Sequence, residues 1–342
     1  MSRDQRSKPL DLRPLRFGPL EIDFPAVLAP LAGYTDFPTR AIARRLGAPY
    51  TVAEVALARF VLHVTKGRKF RRLLRPDDDR PCGAQLMGEG GADLAPAANV
   101  LAGLGFDAID LNLACPVRKV LGKRRGGWLM AHPREAIEMV ARLRDGLRAD
   151  VPLTVKLRRG YDERPESRDR FFEILDGVYA AGAAAVTLHA RTVLQRYEGA
   201  SDWSFLAEVK RRVGSRTLLG SGDLWTAEDC LAMLRATGVD GVSIARGAIG
   251  NPWIFGQLRD LAAGRPPRLP ELAEQRAVIE EHYRLAESVY GPRRACQVMR
   301  KIAIKYSRLH PRATEVRDAF AAAKRPEDWR RALEAWYPAG RE

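Results

Sequence analysis

Asn112 and Cys115 stand close together in Leu111-Asn112-Leu113-Ala114-Cys115-Pro116. They follow an apolar run of strand length, and the carboxyl edge of a parallel α/β sheet is where ligands bind. A free thiol titrates near ~8.5, so at neutral pH it is mostly protonated and can serve as a general acid. Pro116 has a fixed φ and no N–H, which stiffens the turn behind the thiol. A small buried hydrophobe is the simpler role for the same cysteine, and position alone leaves both readings open. A basic run follows over residues 117–125.

The apolar residues 108–111 predict a strand that delivers Asn112 and Cys115 just past its carboxyl end. Seven other strand-like stretches flank it, at residues 27–31, 50–55, 83–87, 153–157, 185–189, 217–219 and 241–245. Helical patterns fall between them, at 37–46, 93–104 and 133–147. Strands alternating with helices imply an α/β fold with a parallel sheet. Eight such units imply a closed (β/α)8 TIM barrel. No sequence repeat underlies the count.

Barrel chemistry gathers at the carboxyl ends of strands. Those ends carry Pro30-Leu31-Ala32-Gly33, Glu54, Gln85, Lys156 with Arg158, and His189 with Arg191. The last two run into Gly220-Ser221-Gly222-Asp223 and Ala245-Arg246-Gly247. Glycine-rich turns after the seventh and eighth strands are where barrels bind phosphate, through accessible backbone N–H groups. Arg246 adds a fixed positive charge there. No G-x-G-x-x-G occurs, which argues against a Rossmann site and for a phosphate-bearing cofactor held by barrel loops. Lys156, across the mouth, suits the negative charge of a reduced flavin.

The 342 residues are 46% apolar and 29% charged, a globular composition, but the net charge is +15. Such an excess points to a polyanionic partner, nucleic acid first. The cysteines (82, 115, 230 and 296) have no metal-ligand spacing and the histidines are scattered. The expectation is therefore a reducing cytoplasm and no metal. No signal peptide or membrane span is read, since the most apolar stretch, 177–188, is too short. The chain divides into a polar N-terminal extension (1–19), a barrel (20–263), a proline-rich linker (264–270) and an all-helical domain (271–342). In the last, helices are read at 271–290, 294–309 and 326–336. Val298, Ile302, Tyr306 and Leu309 share one face of the middle helix and Arg294, Lys301, Lys305 and Arg308 another. The second face reads as a positive stripe that meets phosphates.

Together, residues 29–36 (Ala-Pro-Leu-Ala-Gly-Tyr-Thr-Asp), Asn112-Leu113-Ala114-Cys115-Pro116, Val155-Lys156-Leu157-Arg158 and Leu188-His189-Ala190-Arg191-Thr192 resemble the tRNA-dihydrouridine synthases, most of all the bacterial B-type. Gly220-Ser221-Gly222-Asp223 and Asn251-Pro252-Trp253-Ile254-Phe255 agree in place and order, so the likeness spans residues 20–310. It implies an FMN-containing barrel with a small helical tRNA-binding domain. It also implies reduction of the C5=C6 bond of a D-loop uridine in tRNA, with NADPH as electron source.

Carried over by position, the resemblance implies FMN contacts at Pro30, Leu31, Ala32, Gln85, Lys156, Ser221, Gly222, Asp223, Ala245 and Arg246, with His189 and Arg191 in the same shell. Cys115 matches the proton donor to uridine C5, while the reduced flavin delivers hydride to C6. Asn112 and Lys119 fall beside the substrate, and Arg294, Lys301, Lys305 and Arg308 in the tRNA surface. Ser221 stands where the family commonly has Asn, and Ile302 where a histidine is common. The expected enzyme is a monomer. Competing readings are a flavin barrel reducing a small pyrimidine, like dihydropyrimidine or dihydroorotate dehydrogenases, and a non-catalytic RNA-binding paralogue.

Overall fold

A computed structural model of the protein describes residues 10, 12–64, 80–90 and 92–338. Its strands are β1 (Leu15–Phe17), β2 (Leu20–Ile22), β3 (Ala26–Leu28), β4 (Thr51–Leu57), β5 (Cys82–Met87), β6 (Ala108–Asn112), β7 (Leu153–Arg158), β8 (Ala185–His189), β9 (Thr217–Ser221) and β10 (Gly241–Ile244). The last eight form a closed parallel barrel in the order β10-β3-β4-β5-β6-β7-β8-β9. These are the eight strands read from the sequence, and the α/β barrel expectation holds. Strands buried on both faces read as nearly continuous apolar runs, and β6 is buried throughout. The covering helices are one-sided. Pro133–Gly146 buries Ala136, Met139, Val140 and Leu143, the three-and-four spacing of one helical stripe.

The sequence reading did not anticipate the antiparallel hairpin β1–β2. Its first strand lies within residues 1–19. Leu15, Phe17 and Ile22 pack on Val27, Tyr50, Val52 and Leu219 at the amino-terminal end of the barrel. Phe17 meets the Tyr50 ring edge-on, with centroids 5.5 Å apart. The floor is thereby closed, and the polar end is the carboxyl one.

The C-terminal part comprises helices Leu272–Tyr290, Pro292–Tyr306, Ala313–Ala322 and Pro326–Trp336. Ala313–Ala322 was not read from the sequence. Its buried residues are only Val316 and Phe320, too few for a clear apolar period. In Pro292–Tyr306, Ile302 and Tyr306 face the core as expected, whereas Val298 is only half-buried. That core is shared with the barrel, because Ile42, Ile249 and Trp253 belong to it. His282 is buried between the Thr39 hydroxyl (3.3 Å) and the Tyr306 hydroxyl (3.1 Å). Tyr290 donates to Asp36 at 2.8 Å. Gly250 has φ +83°, and a Cβ there would lie within 2.3 Å of the Lys305 carbonyl. Only glycine lets the barrel loop and the helix approach so closely. Among the described residues, no helix is long and apolar enough to cross a membrane.

Candidate active site

The carboxyl ends of the strands enclose a cavity of about 440 Å³. It is lined by Pro30, Leu31 and Ala32 after β3, Gln85 from β5, Asn112 and Cys115 from β6, and Lys156 from β7. His189 from β8, Ser221, Gly222 and Asp223 from β9, and Ala245 and Arg246 after β10 complete the set. Residues from widely separated parts of the chain thus converge because each ends a barrel strand. Glu54 does not join them. The β4–β5 register shifts between Ala53 and Ala56, and Val55 takes its place on the wall.

One side of the cavity is a hydrogen-bonded chain of fixed polarity. The Ala114 N–H donates to Asn112 Oδ1 at 3.0 Å, so Asn112 Nδ2 must be the donor to Gln85 Oε1 at 2.8 Å. Gln85 Nε2 then donates to Asp110 Oδ2 at 2.6 Å, and the Thr154 hydroxyl to Asp110 Oδ1 at 2.6 Å. Burial raises the Asp110 carboxyl above its ordinary value, opposed by those two hydrogen bonds and by the charge of Lys156. Each amide keeps one N–H that nothing among the described residues accepts. The sequence reading took Asp110 for an ordinary strand residue. An acid in a run that should be wholly apolar was the available signal.

Cys115 is half-buried at the cavity wall with its thiol free. Burial pushes the thiol up from its ordinary value, partly offset by a hydrogen bond from the Val117 backbone and by the charge of Arg158. It is therefore a protonated thiol at neutral pH. The Gly127 N–H donates to the Cys115 carbonyl at 2.9 Å. Gly126, with φ +53°, lets the chain fold back where a Cβ would lie 2.9 Å from that of Cys115. Arg158 braces the same segment, donating to the carbonyls of Ala114 (2.9 Å), Thr192 (2.8 Å) and Arg196 (2.7 Å).

The adjoining side, on β7 and β8, is cationic, with Lys156 paired in register with Asn112. Burial lowers Lys156 to about 8, and Asp110 restrains that fall. At pH 7 its ammonium is mostly charged, and no acceptor among the described residues engages it. His189 is held well below its ordinary value, by burial first and then by Arg158, Lys156, Arg191 and Arg246. Its imidazole is neutral at pH 7.

At the β9 and β10 turns, the backbone N–H groups of Gly222, Asp223 and Arg246 have no acceptor among the described residues. Arg246 lies over the Trp225 ring at 4.2 Å and 3.7 Å from Asp223. Trp225 and Tyr197 also line the cavity, and neither was singled out from the sequence. Ser221 is buried and donates to the Ser243 carbonyl at 3.1 Å.

Other expected site residues lie elsewhere. Arg191 is buried behind the wall and pairs with both Asp223 oxygens at 2.7 Å. Burial works against the Asp223 carboxylate, yet Arg191 and the Ser201 N–H hold it below the usual aspartate value. Lys119 is exposed on the short helix Arg118–Leu121, away from the cavity lining. The expected open stripe on the C-terminal helix is interrupted. Lys301 donates to the Gly33 carbonyl, and Arg308 to those of Ile249 and Arg246. Arg294 is exposed and Lys305 half-buried, neither with an ion-pair partner among the described residues. Ile302 is 2% exposed in the helical core, where the apolar side chain is well accommodated.

A closed parallel barrel with a polar cavity at its carboxyl mouth and cationic helical residues against that mouth has the arrangement in which barrel enzymes carry their active sites. The chain belongs to the dihydrouridine synthase (Dus) family, whose model matches residues 27–338. It is 36% identical over 321 residues to a protein of Mycobacterium tuberculosis described as a probable tRNA-dihydrouridine synthase, covering 91% of this chain and 81% of the relative. It is 31% identical over 316 residues to tRNA-dihydrouridine synthase B of Xanthomonas campestris pv. campestris, covering 92% of each. Among solved structures, histamine dehydrogenase from Rhizobium sp. 4-9 shares the fold with a TM-score of 0.58 at 17% identity. The match covers 80% of this chain and 50% of that one.

Proposed function

We propose that this chain is an FMN-dependent tRNA-dihydrouridine synthase. It reduces the C5=C6 bond of a D-loop uridine in tRNA, with NADPH as electron source. One observation carries the reading: the protonated thiol of Cys115 shares a cavity with Lys156 and with the unpaired N–H groups of the β9 and β10 turns. In this reading the barrel (20–263) does the chemistry, the helical part (271–342) meets tRNA, and the enzyme works in the cytoplasm as a monomer without a metal.

The residues fit FMN. The cavity has the size of a cofactor site, within the usual range of about 300–1,000 Å³. The N–H groups of Gly222, Asp223 and Arg246, with the Arg246 guanidinium, suit a phosphate. Lys156 favours negative charge on the flavin ring system, and Gln85 offers the ring a donor. His189, being neutral, adds no charge. Pro30, Leu31, Ala32 and Ala245 supply apolar wall and Ser221 a polar point on it, while Arg191 acts from behind through Asp223. A flavin, once bound and reduced, supplies the hydride for uracil C6.

Cys115 supplies the proton to C5, and the brace from Arg158 and Gly127 holds it in place. Asn112, its carbonyl engaged by Ala114, turns its remaining N–H to the base as a donor for a uracil carbonyl. The hairpin closes the floor, so the base must leave its stack and enter from the mouth. Arg294, Lys305 and Lys119 are exposed or half-buried cations suited to tRNA phosphates.

The test is direct. The purified protein is yellow, NADPH bleaches it under anaerobic conditions, and tRNA lacking dihydrouridine restores the colour. Mass spectrometry then finds a D-loop uridine two mass units heavier, as addition of two hydrogens requires. A colourless protein that takes up no FMN would refute the reading.

A further inference from the structure

Strands β10 and β3 are neighbours in the barrel, so the loops leaving them lie side by side at the mouth. The first carries Arg246, and the second carries Leu31 and Ala32, all on the cavity wall. Both loops are held from outside by one helix and the turn that follows it. Lys301 donates to the Gly33 carbonyl, with its ammonium 4.9 Å from the centre of the Tyr34 ring. Arg308 donates to the carbonyl of Arg246 at 3.3 Å and to that of Ile249. Between these clasps, the Lys305 backbone lies against Gly250.

A trans peptide points its N–H opposite to its C=O. Holding the Arg246 carbonyl therefore fixes the plane of the Arg246–Gly247 peptide, and through it restrains the backbone of Arg246, whose own N–H, one peptide earlier, has no acceptor among the described residues. Two carbonyls fixed by one guanidinium also leave the turn little freedom, since the donors of Arg form a rigid fork. A loop that binds an anion through backbone donors gains affinity when those donors are already oriented.

Resting on the reading of the cavity as an FMN site, we propose that Arg308 and Lys301 are positioning residues for the cofactor loops rather than tRNA contacts. The helical region thereby sets how tightly the barrel holds its cofactor. No other element among the described residues donates a side-chain hydrogen bond to the carbonyls of Arg246 and Ile249.

The experiment measures FMN affinity of the apoprotein by quenching of flavin fluorescence, with thermal unfolding as a check on integrity. Arg308→Met keeps the aliphatic stem and removes every donor. It should raise the FMN Kd about tenfold or more, as loss of charged hydrogen bonds does. Arg308→Gln is neutral but can still donate to a carbonyl, and should return the Kd to within about threefold of wild type. Arg293→Ala, an exposed position on the same helix, should leave it unchanged. An FMN Kd for Arg308→Met within twofold of wild type overturns the assignment. So does equal weakening in the Met and Gln variants, which would make charge rather than the clasp the cause. If Arg308→Met fails to fold, Arg308→Lys decides: its single donor point should weaken FMN by about two- to fivefold, and wild-type affinity there overturns the proposal. A wild-type apoprotein that binds no FMN overturns the functional reading itself, and this assignment with it.

Discussion

Gln85 donates to Asp110 at 2.6 Å while accepting from Asn112 at 2.8 Å, so one buried carboxylate terminates a chain that orients two cavity amides. The direction of that chain is anchored at its far end by a peptide N–H, that of Ala114, which can only donate. Asn112 is therefore bound to present N–H, not C=O, to whatever occupies the cavity.

Gln85→Glu would set a second carboxylate against Asp110. Leaving buried polar groups mispaired costs about 1–3 kcal/mol, and the single variant should lose that much in urea denaturation. Asp110→Asn in the same chain restores a donor opposite an acceptor, so the double variant should recover most of the loss. The coupling expected for residues in one network is roughly 0.5–3 kcal/mol. Strictly additive losses would mean that the two side chains do not share a hydrogen bond.

Lys156 gives a pH signature. Its amine is lowered to about 8, so the charged form dominates below that pH and is lost above it. FMN affinity of the apoprotein should fall as pH rises through about 8, and Lys156→Met should flatten that limb. His189 is held well below its ordinary value, so it stays neutral across neutral pH and contributes no limb there. Titration calorimetry between about pH 6 and 9, a range that spans an ordinary histidine and the lowered Lys156, checks both statements.

Much of this site was legible in the sequence, for a physical reason. Barrel strands are short apolar runs, so polar residues at several strand ends stand out, and most of them converge on the cavity at the carboxyl mouth. Asn112, Lys156 and His189 could therefore be placed before any coordinates. The hairpin Leu15–Phe17 and Leu20–Ile22 was not legible, because three-residue strands carry no measurable alternation. Nor was the diversion of Lys301 and Arg308. A cation aimed at a backbone carbonyl in another part of the chain looks in sequence like one aimed at solvent. Asp110 was hidden inside its own strand.

That diversion sharpens the expectation for tRNA. Arg294 and Lys305 remain available, whereas Lys301 and Arg308 are spent on carbonyls. Replacing Arg294 and Lys305 with Ala should weaken tRNA binding and flatten the slope of log K against log salt by about one unit per lost contact. FMN content should not change. Wild-type affinity and slope would move the tRNA surface to the barrel rim around residues 118–125.

The central claim is that Cys115 is the acid which completes reduction of a tRNA uridine, and separating the two half-reactions tests it most directly. In anaerobic stopped-flow, Cys115→Ala should take up FMN and be bleached by NADPH at the wild-type rate. Reoxidation by tRNA lacking dihydrouridine should then be slower by about 10²–10⁴-fold, the usual cost of losing a positioned general acid. Reoxidation by tRNA at the wild-type rate in the alanine variant would contradict the account and return Cys115 to packing.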